Sequence, residues 1–282
     1  MSGLKAYAIA TKYWRPGEDY MQEIIKCVKG RIMDGDFLII SEKPIATALG
    51  NIVDESKIQP SLTAKIIAKC WMPIIWGYIL GPLCHLQQKL LQQLRKYPPE
   101  MGSRHKQVAL RYAGLLQALM FGSEGGIDGS NLPYSYVSLP LKNADAIAEE
   151  IHRQIFLTLE KRVCIMIVDT DKTYSLKNFH FTPRPKPVKG IQHLDGFLAY
   201  VAGRVLKLNK RATPIAIAGC SIPTEEALRT AEFANRAMGF GAGGTVWDMA
   251  ERFKVGITEV SWEMLETVNH KPMVIVRVPH RH

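Results

Sequence analysis

One segment constrains this chain more than any other. Val163-Cys164-Ile165-Met166-Ile167-Val168 is an unbroken apolar run that passes directly into Asp169-Thr170-Asp171. Apolar residues at every position, rather than at alternate ones, mark a strand covered on both faces, and such strands sit in sheets with helices on either side. A carboxylate is costly inside that layer. The strand is therefore expected to end here, with Asp169 emerging at its C-terminal edge, where open α/β sheets bind ligands. Asp169 and Thr170 supply two hard oxygens in succession, which suit Mg²⁺ or Mn²⁺. The same residues also suit the plain start of a polar loop.

The rest of the chain repeats this grammar. FLIIS (37–41) follows the turn Asp34-Gly35-Asp36, and PIAIAG (214–219) and Pro272–Val278 are further buried-strand runs. Residues 4–9 alternate loosely, as an edge strand does. Helical spacing separates these runs. It appears in Ile24, Ile25 and Val28, in Ser61–Lys69, in 86–95, in Ala144–Leu159 and in Leu198–Leu206. Another helix opens at Pro223-Thr224-Glu225-Glu226, with Thr224 placed to cap it and the acids suited to its dipole. Residues 107–121 fit strand or helix. Alternating strands and helices imply a mixed α/β (α+β) layered fold. With 47% hydrophobic residues, the 282 residues can bury one large domain spanning 1–282.

Composition narrows the function classes. The N-terminus has no apolar block of signal-peptide length. The apolar window Cys70–Cys84 is too short to span a bilayer and is broken by Pro73, Gly77 and Pro82, so it reads as buried core. A cytoplasmic protein without membrane contact is expected. Five cysteines without zinc spacing imply reduced thiols. The net charge of +10 suits either nucleic acid or a small anionic ligand. No nucleic-acid signature accompanies it, and the basic residues are dispersed apart from Arg184–Lys189, which is interleaved with prolines. A small anionic, nucleotide-like partner is the expectation. His180 and His193 lie near Asp195, but no nucleophile elbow supports Ser/His/Asp catalysis.

Two glycine-rich segments add to Asp169. In Gly125-Gly126-Ile127-Asp128-Gly129-Ser130-Asn131, glycines around Asp128 let the backbone approach a ligand, and Asn131 adds an amide that donates and accepts. An ordinary turn has the same composition. Gly239-Phe240-Gly241-Ala242-Gly243-Gly244 can form a nest of amide donors for phosphate, or a hinge. It lacks a P-loop ending, and it follows a helix rather than a strand.

Taken in order, RPGEDYMQEII, DGDFLIISEKPIATALGNIVD, IQPS, GIDGSN, VCIMIVDTD, TAEFANRAMG and KPMVIVRV resemble the coenzyme F-420-0:L-glutamate ligases, or F-420 γ-glutamyl ligases. The blocks run from residue 14 to 278. The resemblance implies an F-420 ligase-like fold of mixed sheets flanked by helices. It also implies a homodimer that joins glutamate to a carboxylate, with GTP as co-substrate and divalent metals. By position, Asp128 and Asp169 resemble ligands of one metal, and Thr170 a ligand of the second. Asn131, Glu42, Lys43 and the stretch Thr11–Trp14 fall at nucleotide contacts, and Met238, Gly239, Gly241, Gly243 and Gly244 would wrap the phosphates. No residue is assigned a proton-transfer role.

The chain departs from the family pattern at several points. Thr47 stands where the family has a lysine, and Phe240 where it has a metal-binding glutamate. Lys172–Phe181 replaces an arginine-rich segment. A segment near 240–270 is inserted, and Asp248 or Glu251 within it is placed to substitute for the missing carboxylate. These changes leave a second expectation beside the ligase, a non-catalytic descendant that binds a nucleotide or a deazaflavin.

Overall fold

The buried-strand runs form the centre of a seven-stranded mixed sheet in the computed structural model, which describes residues 3–122 and 124–278. Its strands are β1 (Lys5–Thr11), β2 (Phe37–Ser41), β5 (Cys164–Leu176), β6 (Phe179–Thr182), β7 (Gln192–His193), β8 (Asn209–Ala218) and β9 (His270–Arg277). A separate antiparallel pair joins β3 (Ile52–Asp54) to β4 (Tyr136–Ser138). The order across the sheet is β1-β9-β2-β5-β6-β7, and β8 pairs with β5. β1 lies at the sheet edge, as its loose alternation suggests.

Continuous apolar runs are explained by cover on both faces. Leu38, Ile40, Ile165 and Ile167 meet Ile24 and Val28 of helix Tyr20–Val28 and Ile151 and Ile155 of helix Ala144–Leu159. The alternate residues Phe37, Ile39, Met166 and Val168 meet Ala227, Ala231 and Ala234 of helix Thr224–Met238. Successive side chains point to opposite faces of a strand, so both parities must be apolar.

β5 does not stop at Asp169, contrary to the sequence expectation. It continues to Leu176 because β8 pairs with it along nearly its whole length. What stops is its parallel neighbour, since β2 ends at Ser41, opposite Val168. Further on, β6 takes over the pairing at Tyr174. Between them the β5–β8 ladder breaks. Asp169 pairs with Thr213 and Lys172 with Ala212, so Thr170 and Asp171 bulge out of register. Asp169 therefore stays in the ladder, buried beside a bulge in mid-strand, rather than emerging at a strand end.

A helical cluster packs beside the sheet around Met72, Trp76, Leu94 and Val108. Within residues 107–121, ambiguous by sequence, 107–112 end the helix Pro99–Tyr112 and 115–118 form a short helix of their own. The apolar window Cys70–Cys84 proves to be part of one helix, Leu62–Leu83, with mean hydropathy 1.4. By length and composition that helix could cross a membrane, so the expectation of a short buried segment is corrected. Only its inner face is covered, and Leu62, Ile66, Ile74, Tyr78 and Ile79 are exposed. Pro73 does not break it, because its central turns are wound wider than an α-helix, with the Gly81 N–H bonded to the Trp76 carbonyl. The segment after Gly244 folds as helices Val246–Phe253 and Trp262–Glu266, whose Met249, Trp262 and Leu265 pack on Tyr13 and Leu132.

Two local expectations are also corrected. Cys164 and Cys220, 5.3 Å apart at Cα, form a disulfide between the start of β5 and the second residue beyond β8, so the thiols are not all reduced. Antiparallel pairing of β5 with β8 brings these distant cysteines together, which spacing cannot reveal. Cys27, Cys70 and Cys84 are free. Thr224 begins its helix without capping it, and its hydroxyl donates to the Lys189 carbonyl instead.

Candidate functional site

The gap left where β2 ends opens into a cavity of about 450 Å³. β2 passes without a loop into helix Glu42–Ala48, which delivers Glu42 and Lys43 to the cavity wall. The β5 bulge delivers Asp169, Thr170, Asp171 and Lys172. Asp128, bridged through its backbone to Ser138 at the end of β4, enters from the opposite sequence neighbourhood with Ser130 and Asn131. Met238, Gly239, Gly241, Gly243 and Gly244 close another side. Asp128, Asp169, Thr170, Asn131, Glu42 and Lys43, singled out from the sequence for metal or nucleotide contact, thus line one space, whereas none of Thr11–Trp14 lines it. Asp128 and Asp169 are not on opposite sides of the molecule.

The charges inside are organised as two linked sets. Lys43 Nζ ion-pairs with Asp128 Oδ2 and donates to Ser130 Oγ at 2.7 Å and to the Ser130 carbonyl at 2.8 Å. The Ser130 N–H bonds Asp128 Oδ1 at 2.7 Å. Next along the chain, Glu42 Oε1 receives the Leu141 N–H at 2.6 Å and Arg184 Nη2 at 2.7 Å. Arg184 Nε lies 2.7 Å from Asp169 Oδ2, in ion-pair contact without hydrogen-bond alignment. Burial raises the Glu42 pKa to about 7, and the Asp169 charge adds to the rise while Arg184 opposes it. Arg184 is the residue sequence reasoning missed. It is 3% exposed, and its only sequence signal is its place between Pro183 and Pro185 in the basic stretch. Gly126, at φ +98°, is required beside it, because a Cβ there would lie 2.9 Å from Arg184 Nε.

Asn131 clamps the glycine loop. Its Oδ1 accepts from the Ala242 N–H at 2.6 Å and from Tyr13 Oη at 3.2 Å, while Nδ2 donates to the carbonyls of Gly243 at 3.0 Å and Phe240 at 3.2 Å. Gly241, at φ +58°, leaves no room for a Cβ, which would meet Asn131 Oδ1 at 2.4 Å. The loop runs into helix Val246–Phe253, whose first turn is capped by the Thr245 hydroxyl and lines the cavity. Glycine amides leading to a helix N-terminus form a surface suited to anions.

Two further lysines and a histidine face this space besides Lys43. Lys172 is paired with Glu232 at 3.4 Å. Lys271 lines the wall and has no ion-pair partner among the described residues. His270 is stacked on Tyr13 at 4.2 Å, and burial lowers its pKa to about 4, so it is neutral at ordinary pH. Thr47 is buried, bonded to the Lys43 carbonyl, and does not reach the cavity. Phe240 borders it while 77% exposed. Asp248 and Glu251 do not line it either. Both pair with Lys89, at 3.2 and 2.5 Å, so neither is placed to replace a cavity carboxylate.

The order and spacing of these blocks match the F420-0:Gamma-glutamyl ligase family profile over residues 8–220. The chain belongs to that family. A Coenzyme F420:L-glutamate ligase of Archaeoglobus fulgidus is 29% identical over 160 residues, covering 56% of this chain and 55% of that protein. An uncharacterised protein of Methanocaldococcus jannaschii is 33% identical over 287 residues, covering 98% and 97%. All the family-like blocks up to VCIMIVDTD fall within the matched stretch. The glycine loop and Lys271 lie beyond it and are brought to the same cavity by folding.

Among the described residues, no three His, Cys, Asp or Glu side chains cluster as a metal cage. Mg²⁺ does not need one. It is held by one or two carboxylates, with substrate phosphates and water completing the shell. Asp169 Oδ2, buried without an aligned donor, and the neighbouring Thr170 fit that requirement. Asp128 also lines the cavity, with its carboxylate paired to Lys43.

Proposed function

We propose that this protein is a nucleotide-dependent acid–amino acid ligase that joins an amino acid, glutamate by family, to a carboxylate through an acyl phosphate. One observation carries the reading. Two acidic segments, two lysines and a glycine loop, far apart in sequence, converge on a single cavity. Asp128, Asp169 and Thr170 would hold Mg²⁺ or Mn²⁺, which when bound offsets phosphate charge. The amides of Gly239–Gly244 and the N-terminus of helix Val246–Phe253 would cradle the phosphates of GTP, and Lys43 and Lys271 would neutralise them.

An unactivated carboxylate is a poor acyl donor. Its oxygen attacks the γ-phosphorus, the bond to the β-γ bridging oxygen breaks, and GDP leaves with that electron pair. The incoming amine attacks the acyl carbon and expels inorganic phosphate, and the nitrogen loses a proton to leave an amide. Glu42, with its pKa near neutrality, sits beside this centre and pairs with Arg184, which also contacts Asp169. We place the reaction in the cytoplasm, in a homodimer, where the nucleotide is supplied.

Asp169→Asn is expected to abolish Mg²⁺- or Mn²⁺-dependent GTP binding in calorimetry. Unchanged affinity would reject the metal assignment. A second reading, a binder without turnover, is favoured by the existing cations, since Asp128 and Asp169 already carry Lys43 and Arg184. Phosphate release from mixtures of GTP or ATP, glutamate and candidate acids separates the two. Binding with no phosphate from any mixture selects the binder.

A further inference from the structure

The cavity extends beyond the charged end into a lobe the ligase chemistry does not use. Tyr97, Met101, Phe121, Val137 and Trp247 line it, with the Tyr97 and Trp247 rings edge to face at 6.3 Å. An ionic chain is built into its wall. Glu124 and Lys106, both fully buried, pair with each other, and His105 Nε2 lies 2.8 Å from Glu124. His105 Nδ1 lies 2.6 Å from Glu55 Oε1. Burial opposes a charge on His105, but Glu124 and Glu55 outweigh it and raise the imidazole pKa to about 10. The ring is therefore a cation with both N–H groups spent on carboxylates.

This arrangement fixes Glu55. One oxygen is committed to His105, while the other has no partner among the described residues and belongs to a side chain lining the lobe. A carboxylate oxygen that lines a largely apolar wall offers an acceptor to a ligand's donor. Strand register places it. Asp128 bridges Ser138, whereas the Glu55 N–H bonds the Ser135 carbonyl, three residues back along the chain. Three residues span about 10 Å.

We propose that Glu55 is a specificity-determining acceptor. It would receive an N–H or O–H on the far end of an acid whose apolar, ring-bearing body fills this lobe and whose carboxylate reaches the Asp128–Asp169 end. The inference rests on the ligase reading for the role of that carboxylate, and on the lobe alone for the donor.

Two probe acids test it, 4-(4-aminophenyl)butanoate, which presents N–H at the far end, and 4-(4-acetylphenyl)butanoate, which presents only an acceptor. Each is titrated calorimetrically with and without Mg²⁺ and GDP. The wild type is expected to bind the amino acid probe about tenfold more tightly. In Glu55→Gln the amide oxygen keeps His105 and the NH₂ faces the lobe, so the order is expected to reverse. Trp247→Ala should weaken both probes and leave their ratio unchanged.

Equal affinities in the wild type, the same order in Glu55→Gln, or no binding of either acid overturns the proposal. The wild-type comparison stands even if a variant misfolds. Failure to bind GDP would count against the nucleotide reading instead, and the titrations without nucleotide would still decide the role of Glu55.

Discussion

Removing Arg184 is the sharpest test of how this cavity is held together. The guanidinium is buried between Glu42 and Asp169, contacting each at 2.7 Å. Arg184→Met keeps most of the volume and leaves two carboxylates without their shared cation. Breaking a buried ion pair from one side costs about 3–5 kcal/mol, which in a chain of this size lowers the melting temperature by roughly 6–15 °C.

The pH dependence carries the mechanism. With Arg184 present, Glu42 already has a folded pKa of about 7, above its unfolded value. Such a group stabilises the fold fully below the unfolded pKa and loses that contribution as pH rises through the folded one. Without the arginine the rise is larger, so the variant should be far less stable than wild type at pH 8 and recover much of the difference near pH 5. Adding Glu42→Gln should recover part of it at pH 8. Urea unfolding followed by circular dichroism measures all three proteins. A cost below about 1 kcal/mol, or one that does not change between these pH values, would refute the buried-triad account.

Other consequences are simpler to check. The melting temperature of the wild type should fall as pH rises from about 7 toward 10, because the raised His105 pKa contributes stability that is lost over that range, and His105→Gln should flatten the profile. Gly241→Ala forces φ +58° on a residue with a Cβ and pushes on Asn131, so about 1–3 kcal/mol of loop strain should appear as weaker GTP binding with little change in melting temperature. Trp76→Ala removes a fully buried ring and its bond to the Leu119 carbonyl, and should cost about 3–5 kcal/mol in denaturant unfolding. Non-reducing peptide mapping should recover Cys164 linked to Cys220, and reduction should lower stability by about 2–4 kcal/mol.

The sequence by itself determined the layered α/β core and the chemistry available to the site. Apolar runs at 37–41, 164–168 and 273–276 read as strands covered on both faces, and Asp169 was expected at the edge of that layer, with Asp128 in a glycine turn. Local pattern reports burial and backbone preference, so those features were legible. It carries no information on which distant segments meet.

Tertiary structure alone decided that β8 carries β5 past Asp169 and turns an expected strand end into a bulge. It alone brought Arg184 out of a proline-rich loop to bridge Glu42 and Asp169, and spent the Asn131 amide on the glycine loop. It joined Cys164 to Cys220 and carried the apolar window through Pro73 as one helix. All but the Pro73 helix depend on a partner more than ten to more than a hundred residues away. Such pairings are set by sheet register and packing, which a linear pattern does not encode.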